Sequence, residues 1–235
     1  MTKIFSTVDR HKPINALTRE VNPFDWPRWK PHASVVYFNK LEDGTQTNHY
    51  ASVLVFPTTA IFAHSSESFD GGLAESSLIG NEGVVGAWLL AGTPLLNTHF
   101  LLHTAGFGIT VSAEFLIREF AVSSEFRRAI LRHASAMVRY ATQTCFCYRH
   151  HTIEQQVVKT ILLTAQRTGS LNIPMTHQMI GNILGVRREG VSEAFKTLRS
   201  EQLVEQKRGK ILILNSVGLE SRACECYLLM RSFLI

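Results

Sequence analysis

Between Ser34 and Val111 the apolar residues come in short runs separated by turn signals. Val35–Phe38, Ser52–Phe56, Ala60–Ala63, Ser76–Ile79, Val84–Trp88, Phe100–Thr104 and Phe107–Val111 predict strands. Glu42-Asp43-Gly44, Phe69-Asp70-Gly71-Gly72, Gly80-Asn81-Glu82-Gly83 and Gly92-Thr93-Pro94 predict the turns between them. Strands of that length at that spacing predict an antiparallel barrel or roll. Ahead of them, residues 1–34 are poorly patterned. The segment NPFDWPRWKPH is too rich in proline for a regular helix and predicts an extended arm packed over the roll. A recognition role for Trp26 and Trp29 is the lesser reading.

After Val111 the period becomes helical. Ser112 is placed to cap a short helix, Ala113–Phe120, and Ser123 a much longer one. Two apolar seams then run side by side. One is Phe126, Ile130, His133, Met137, Tyr140 and Thr144; the other is Leu131, Ala134, Val138, Ala141 and Cys145. Both step by 3 and 4 residues, as coiled-coil positions do. One seam is assigned to the roll and the other to the same helix of a second subunit, without deciding which is which. A single wide core face within a monomer is the alternative. Tyr148-Arg149-His150-His151 interrupts the seams and reads as a hinge. Thr152-Ile153-Glu154-Gln155 is a capping box that opens a new helix with Ile153, Val157, Ile161 and Leu162 inward.

The run Met175–Leu198, MTHQMIGNILGVRREGVSEAFKTL, predicts two short helices about a tight turn. Thr176 caps the first, and Ile180, Ile183 and Leu184 form its apolar face. Gly181 is small where a second helix must cross, Gly185 permits the positive φ that ends a helix, and Val186 plugs the corner. The second helix buries Val191, Ala194, Phe195 and Leu198. Its other face carries Arg187, Arg188, Glu189, Ser192, Glu193 and Lys196, groups that reach phosphates and base edges. Leu203–Gln206 and Lys210–Leu214, joined through Lys207-Arg208-Gly209, predict a hairpin with a basic turn. A helix-turn-helix followed by a basic hairpin is a winged helix. The plainer alternative, a helical hairpin with a solvated face, does not account for the glycines, Val186 and the wing together. Ser216 is placed to cap a last helix, with Leu219, Ala223, Cys226, Tyr227 and Met230 as its stripe.

A composition of 45% hydrophobic and 18% charged residues belongs to a folded globular chain, and 235 residues suffice for two domains. No apolar run approaches the roughly 20 residues a spanning helix needs. The start, MTKIFSTVDRHKPIN, lacks the apolar core of a signal peptide, so a cytoplasmic protein without membrane contact is expected. Net charge is −3 over residues 1–122, +4 over 123–150 and +4 over 151–235. That gradient fits a sensor domain (1–122), a dimerisation helix with hinge (123–150) and a phosphate-binding domain (151–235). The four cysteines, Cys145, Cys147, Cys224 and Cys226, form two C-x-C pairs on predicted helices. Residues i and i+2 of a helix diverge and do not readily share one ion, so buried thiols with no metal and no cofactor are expected. His99, His103, His133, His150 and His151 show no spacing that fixes a haem or metal site. No nucleophile–base pairing or phosphate loop suggests an enzyme.

The run IGNILGVRREGVSEAFKTLRSEQLVEQKRGKILILN resembles the C-terminal domain of Crp/Fnr-type bacterial transcription regulators, the superfamily of the cyclic-AMP receptor protein. The likeness is clearest from Glu154 to Tyr227, extends over Gly80–Gly106 and fades before Val35. It implies an α+β fold: an N-terminal antiparallel β-roll (cupin-like, of the cyclic-nucleotide-binding type), a long dimerisation helix and a C-terminal winged helix-turn-helix. It further implies a homodimer on double-stranded DNA, with RNA polymerase and an unidentified small-molecule effector as candidate partners.

In that family an arginine and a glutamate matching Arg188 and Glu189 read bases, as does an arginine one turn later. Here that third place is Glu193, so the family's common half-site is not expected. Thr176, His177 and Gln178 open the first helix, where free N–H groups favour phosphate. Arg187, Lys196, Lys207, Arg208 and Lys210 are candidate backbone contacts. Gly190 is explained either by close approach to DNA or by tolerance of a weak helix start. Cyclic-nucleotide-binding members carry a Gly-Glu pair and then Arg-Ser or Arg-Thr. The matching stretches here, Gly83–Trp88 and Leu96-Asn97-Thr98-His99, have Ala87 for the glutamate and Asn97 for the arginine. Without that guanidinium a buried phosphate lacks a fixed counter-charge, so cyclic AMP is not expected. Gly86, Trp88, Asn97 and Thr98 remain a candidate pocket for another small molecule, or for none. An N-terminal iron–sulfur cluster has no cysteine before Cys145 to hold it. Two rivals remain: a winged helix used for protein interaction, and an enzyme or carrier with its chemistry in the roll.

Overall fold

The β-rich runs form two sheets in a computed structural model that describes residues 4–5, 15–20, 26–39, 52–69, 71–92 and 98–234. Strands β1 (Ile4–Phe5), β2 (Ala33–Phe38), β3 (Val53–Pro57) and β7 (Gly106–Ser112) pair antiparallel in the order β1-β2-β7-β3. The register runs from Ala33 opposite Val111 to Phe38 opposite Gly106. A second sheet has the order β5-β4-β6, from β4 (Ile61–Glu67), β5 (Leu73–Ile79) and β6 (Thr98–Thr104). The strand expected over Val84–Trp88 does not form. Val85 makes one isolated bridge to Val55, Gly86 turns left-handed at φ 99°, and Ala87–Ala91 is a 3-10 turn. A Cβ on Gly86 would stand 3.2 Å from the Val53 carbonyl, so the chain turns where only glycine fits. The turns at Glu42–Gly44 and Thr93–Pro94, and Asp70 of another, lie outside the described residues.

The chain divides into two compact units: Met1–His64 with Leu78–Val138, and Ser65–Ser77 with Arg139–Ile235. In the first, helix α1 (Ala16–Glu20) is held by Asn15, whose amide donates to the carbonyls of Pro57 and Gly83 at 2.8 and 2.9 Å. The proline-rich arm is not extended throughout. Trp26–Trp29 makes one helical turn (α2), and Lys30–His32 a 3-10 turn. Prolines at the start of such turns forfeit only N–H groups that lack intrahelical partners. Trp29 is 1% exposed, at the centre of a core with Phe56, Phe115 and Phe126, and so is packed rather than displayed. Trp26 offers no described side chain.

Helix α3 (Ala113–Val122) starts at the predicted Ser112 cap, whose side chain accepts from the Phe115 N–H. Helix α4 (Ser124–His150) follows, with Ser123 Oγ accepting from Phe126 N at 3.2 Å. It runs through the expected interruption and stops only at His151. The two seams have separate fates. Phe126, Ile130, His133, Tyr140 and Thr144 are buried within the chain, and Met137 packs on a core cluster of the roll. Leu131 and Val138 stand 59% and 66% exposed, with Ala134 and Cys145 exposed beside them.

The second unit continues with α5 (Ile153–Thr168), opened by the complete Thr152/Gln155 capping box. Then come β8 (Asn172–Ile173), α6 (His177–Leu184), α7 (Arg188–Ser200), β9 (Val204–Lys207) and β10 (Lys210–Ile213), in a sheet ordered β8-β10-β9. The last helix is two. Asn215, not Ser216, caps α8 (Ser216–Ser221), accepting from Gly218 N at 2.9 Å. The chain breaks at Arg222–Cys224 and restarts as α9 (Glu225–Arg231). Cys224 is therefore an extended capping residue, outside any helix. No described helix is long and apolar enough to cross a membrane.

Candidate nucleic-acid interface

Local chemistry sets the helix pair. Thr176 Oγ accepts from Met179 N at 3.1 Å, and Gly185 ends α6 at φ 65°. A Cβ on Gly181 would lie 2.9 Å from the Val186 carbonyl, so the turn closes onto the first helix at a position that only glycine fits without a shift. Val191, Ala194, Phe195 and Leu198 are all buried, as their i, i+3, i+4, i+7 spacing predicts.

The opposite face is presented to solvent. Arg187, Arg188, Glu189, Glu193 and Lys196 are exposed, and so is Gln178 on α6, which donates to Asn182 Oδ1 at 2.9 Å. Lys196 pairs with Glu193 at 2.5 Å with both side chains more than 70% exposed, a bond weak enough to be exchanged for a phosphate. Thr176 and Ser192 are half-buried. His177 is placed differently from the other predicted phosphate contacts. Its ring is buried 4.3 Å from that of Phe195, its Nδ1 lies 3.0 Å from Ser192 Oγ, and burial, then Arg188 and Arg199, lower its pKa. This imidazole joins α6 to α7, and its side chain does not belong to the exposed face. Gly190 faces inward as well: a Cβ there would meet the flexible tip of Ile153 on α5, Cδ1 at 3.1 Å.

The wing carries Lys207, Arg208 and Lys210, all exposed about a turn in which Gly209 has φ 71°. Lys207 and Lys210 are cross-strand partners, and Glu205 sits 3.2 Å from the Lys207 ammonium. Arg222 steadies the scaffold behind, reaching Glu154 at 3.1 Å and Glu201 at 3.0 Å. The Tyr148 hydroxyl is 3.1 Å from the carbonyls of both Glu75 and Ile183, tying the end of α4 to the last turn of α6. Glu75 is buried beside it. Desolvation lifts its pKa to about 8 against the pull of Lys159 and Arg167.

Of the four candidate effector residues, Gly86 is the left-handed turn, and Trp88 stacks 4.7 Å from Phe100, which in turn stacks 4.6 Å from His64. Asn97 and the Thr98 side chain lie outside the described residues. His103 and His133 are packed groups, bonded to Thr104 Oγ1 and the Val84 carbonyl. Elsewhere in the second unit, Cys147, His151, Cys224 and Cys226 come together. The C-x-C spacing hid this set; the four-residue step from Cys147 to His151 was a signal for one half of it, and nothing in the sequence joins that half to Cys224 and Cys226.

Residues 155–222 match the family described as a Crp-like helix-turn-helix domain. Among solved structures, a protein from Eubacterium rectale assigned to the Crp/Fnr family of transcriptional regulators aligns with a TM-score of 0.70 at 16% identity, covering 90% of this chain and 99% of that one. FixK2 from Bradyrhizobium japonicum aligns at 0.66 and 16% identity, over 82% and 98% of the two chains. A CRP-family transcriptional regulator from Thermus thermophilus aligns at 0.61 and 17% identity, over 80% and 92%. Among curated protein sequences, none matches this one. A β-rich N-terminal region, long helices and a Crp-like helix-turn-helix domain together give this chain the fold of the Crp/Fnr-type transcription regulators.

Proposed function

We propose that the protein is a sequence-specific DNA-binding regulator of transcription that acts in the cytoplasm as a homodimer on a palindromic operator and is not controlled by cyclic AMP. The observation that carries this reading is the first turn of α7. It exposes Arg187, Arg188 and Glu189 on a helix whose opposite face is fully packed. Arg188 can donate two hydrogen bonds to the O6/N7 edge of guanine and Glu189 can accept from cytosine N4, each pair giving about 1–3 kcal/mol of discrimination. Arg187, Lys196, Lys207, Arg208 and Lys210 then supply phosphate contacts that fix the register.

The homodimer is supported by the exposed Leu131/Val138 seam, an apolar stripe on a 27-residue helix whose other seam is already used. Two such chains set their reading helices about 34 Å apart, one helical turn of DNA. Ala87 and Asn97, standing where the family's nucleotide-binding members have glutamate and arginine, support independence from cyclic AMP. RNA polymerase and a small effector in the roll rest on the family likeness alone.

Selection of bound duplexes from a random pool tests the proposal. Two inverted half-sites with centres one turn apart are expected. Retention of every sequence alike would leave the winged helix as a protein-interaction module.

A further inference from the structure

Four side chains of the second unit converge on one point. Cys147 lies in the last turn of α4, and His151 follows four residues later on the same face. Cys224 is the extended cap of α9 (φ −77°, ψ 164°) and Cys226 is the second residue of that helix. Because Cys224 precedes the helix, its sulfur and that of Cys226 are not held to the diverging directions of a helical i, i+2 pair. The sulfurs of Cys147 and Cys224 are 3.8 Å apart, Cys226 Sγ is 3.5 Å from His151 Nδ1, and all four donor atoms lie within 4.8 Å of one another. Cys147, Cys224 and Cys226 are buried, with exposures of 0%, 4% and 0%.

The 3.8 Å and 3.5 Å spacings match two edges of a coordination tetrahedron, and the other four need close by no more than about 1 Å. Bonds of about 2.3 Å to sulfur and about 2.05 Å to nitrogen give edges of about 3.8 Å between sulfurs and about 3.6 Å between sulfur and nitrogen. Packing of inert thiols would leave the outer shell to chance, but here it is built. His151 turns its other nitrogen, Nε2, to Glu225 Oε2 at 3.2 Å, the carboxylate–histidine arrangement that fixes a metal-ligating ring. Gln143 Nε2 donates to Cys226 Sγ at 3.0 Å, a bond that favours the thiolate.

We propose that Cys147, His151, Cys224 and Cys226 bind one zinc ion in a closed tetrahedral site. Four protein ligands leave no open position, so the ion is structural. Three thiolates and an imidazole favour zinc over the hard cations magnesium and calcium. Zinc replaces the thiol protons, which pass to solvent, and no electrons are exchanged. The ion fastens the end of α4 to the start of α9 across a separation of 77 residues, spanning the break at His151–Thr152. The segment expected from the sequence to be a hinge is thereby clamped.

The full chain, purified reduced and stripped with a chelator, is titrated with cobalt and then zinc. One cobalt per chain is expected, with the intense ligand-field bands of a tetrahedral thiolate site, displaced by one equivalent of zinc. C226S and H151A should weaken zinc at least tenfold in competition with a chromophoric chelator, and C145S, at an exposed cysteine outside the set, should not. The wild-type titration stands even if a variant fails to fold. No cobalt bands in a reduced, folded wild-type chain, a recovered cluster of iron and sulfide, or equal affinity in H151A and wild type would each overturn the assignment.

Discussion

The Val186 carbonyl stands 2.9 Å from the place a Cβ on Gly181 would occupy, and this one approach sets how tightly the turn packs on α6. Gly181→Ala drives a methyl group against backbone that cannot swing aside, at a cost of about 1–3 kcal/mol. Gly190→Ala meets only the flexible tip of Ile153 at 3.1 Å and gains about 1 kcal/mol of helix propensity. Denaturant midpoints at constant m-value should fall for the first variant and hold or rise for the second. The reverse order would mean the helix crossing is looser than described.

The wing should act through charge alone. Lys207→Ala and Arg208→Ala remove exposed cations, so each should weaken all duplexes alike and lower the salt slope by about one unit. Affinities measured across a salt series check this. A change in preferred sequence would move these residues from phosphate to base contact.

Glu75 gives a pH signature. Its folded pKa of about 8 lies above its ordinary 4.5, so the folded chain holds the proton more tightly than the unfolded one. The stabilisation is full below about pH 4.5 and is lost as pH rises towards 8, each unit of difference being worth about 1.4 kcal/mol. Glu75→Gln should flatten the fall in thermal midpoint over that window, with the difference between the two profiles isolating this group. Parallel profiles would show that Glu75 is already ionised in the folded protein.

Much of the second unit was legible because its signals are local. Thr152 with Gln155, Thr176 and Gly185 lie within four residues of the groups they satisfy, and all three act as predicted. The last cap falls one residue before the expected Ser216 because the neighbouring Asn215 is an equally competent acceptor and takes the Gly218 N–H. What escaped depends on distant neighbours. Val84–Trp88 has strand composition, but Gly86 turns left-handed at φ 99°, where a Cβ would crowd the Val53 carbonyl from a distant strand. His177 has the polarity of a phosphate ligand, but the Phe195 ring and Ser192 hydroxyl draw it inside. The cysteines stood on opposite sides of the winged helix in sequence, and no period connects them.

The exposed seam of α4 predicts how the chain associates. Leu131→Glu and Val138→Glu place charge on side chains 59% and 66% exposed, so the fold should survive with its thermal midpoint nearly unchanged. Sedimentation should then report a dimer for the parent chain and a monomer for each variant. A dimer unaffected by either variant would place the interface elsewhere.

The most direct test compares the sequences selected from a random duplex pool by the parent chain and by Arg188→Ala. If the first turn of α7 reads bases, the variant should keep the half-site spacing and lose discrimination at one base pair in each half-site, placed symmetrically. An identical motif from both proteins would contradict the account.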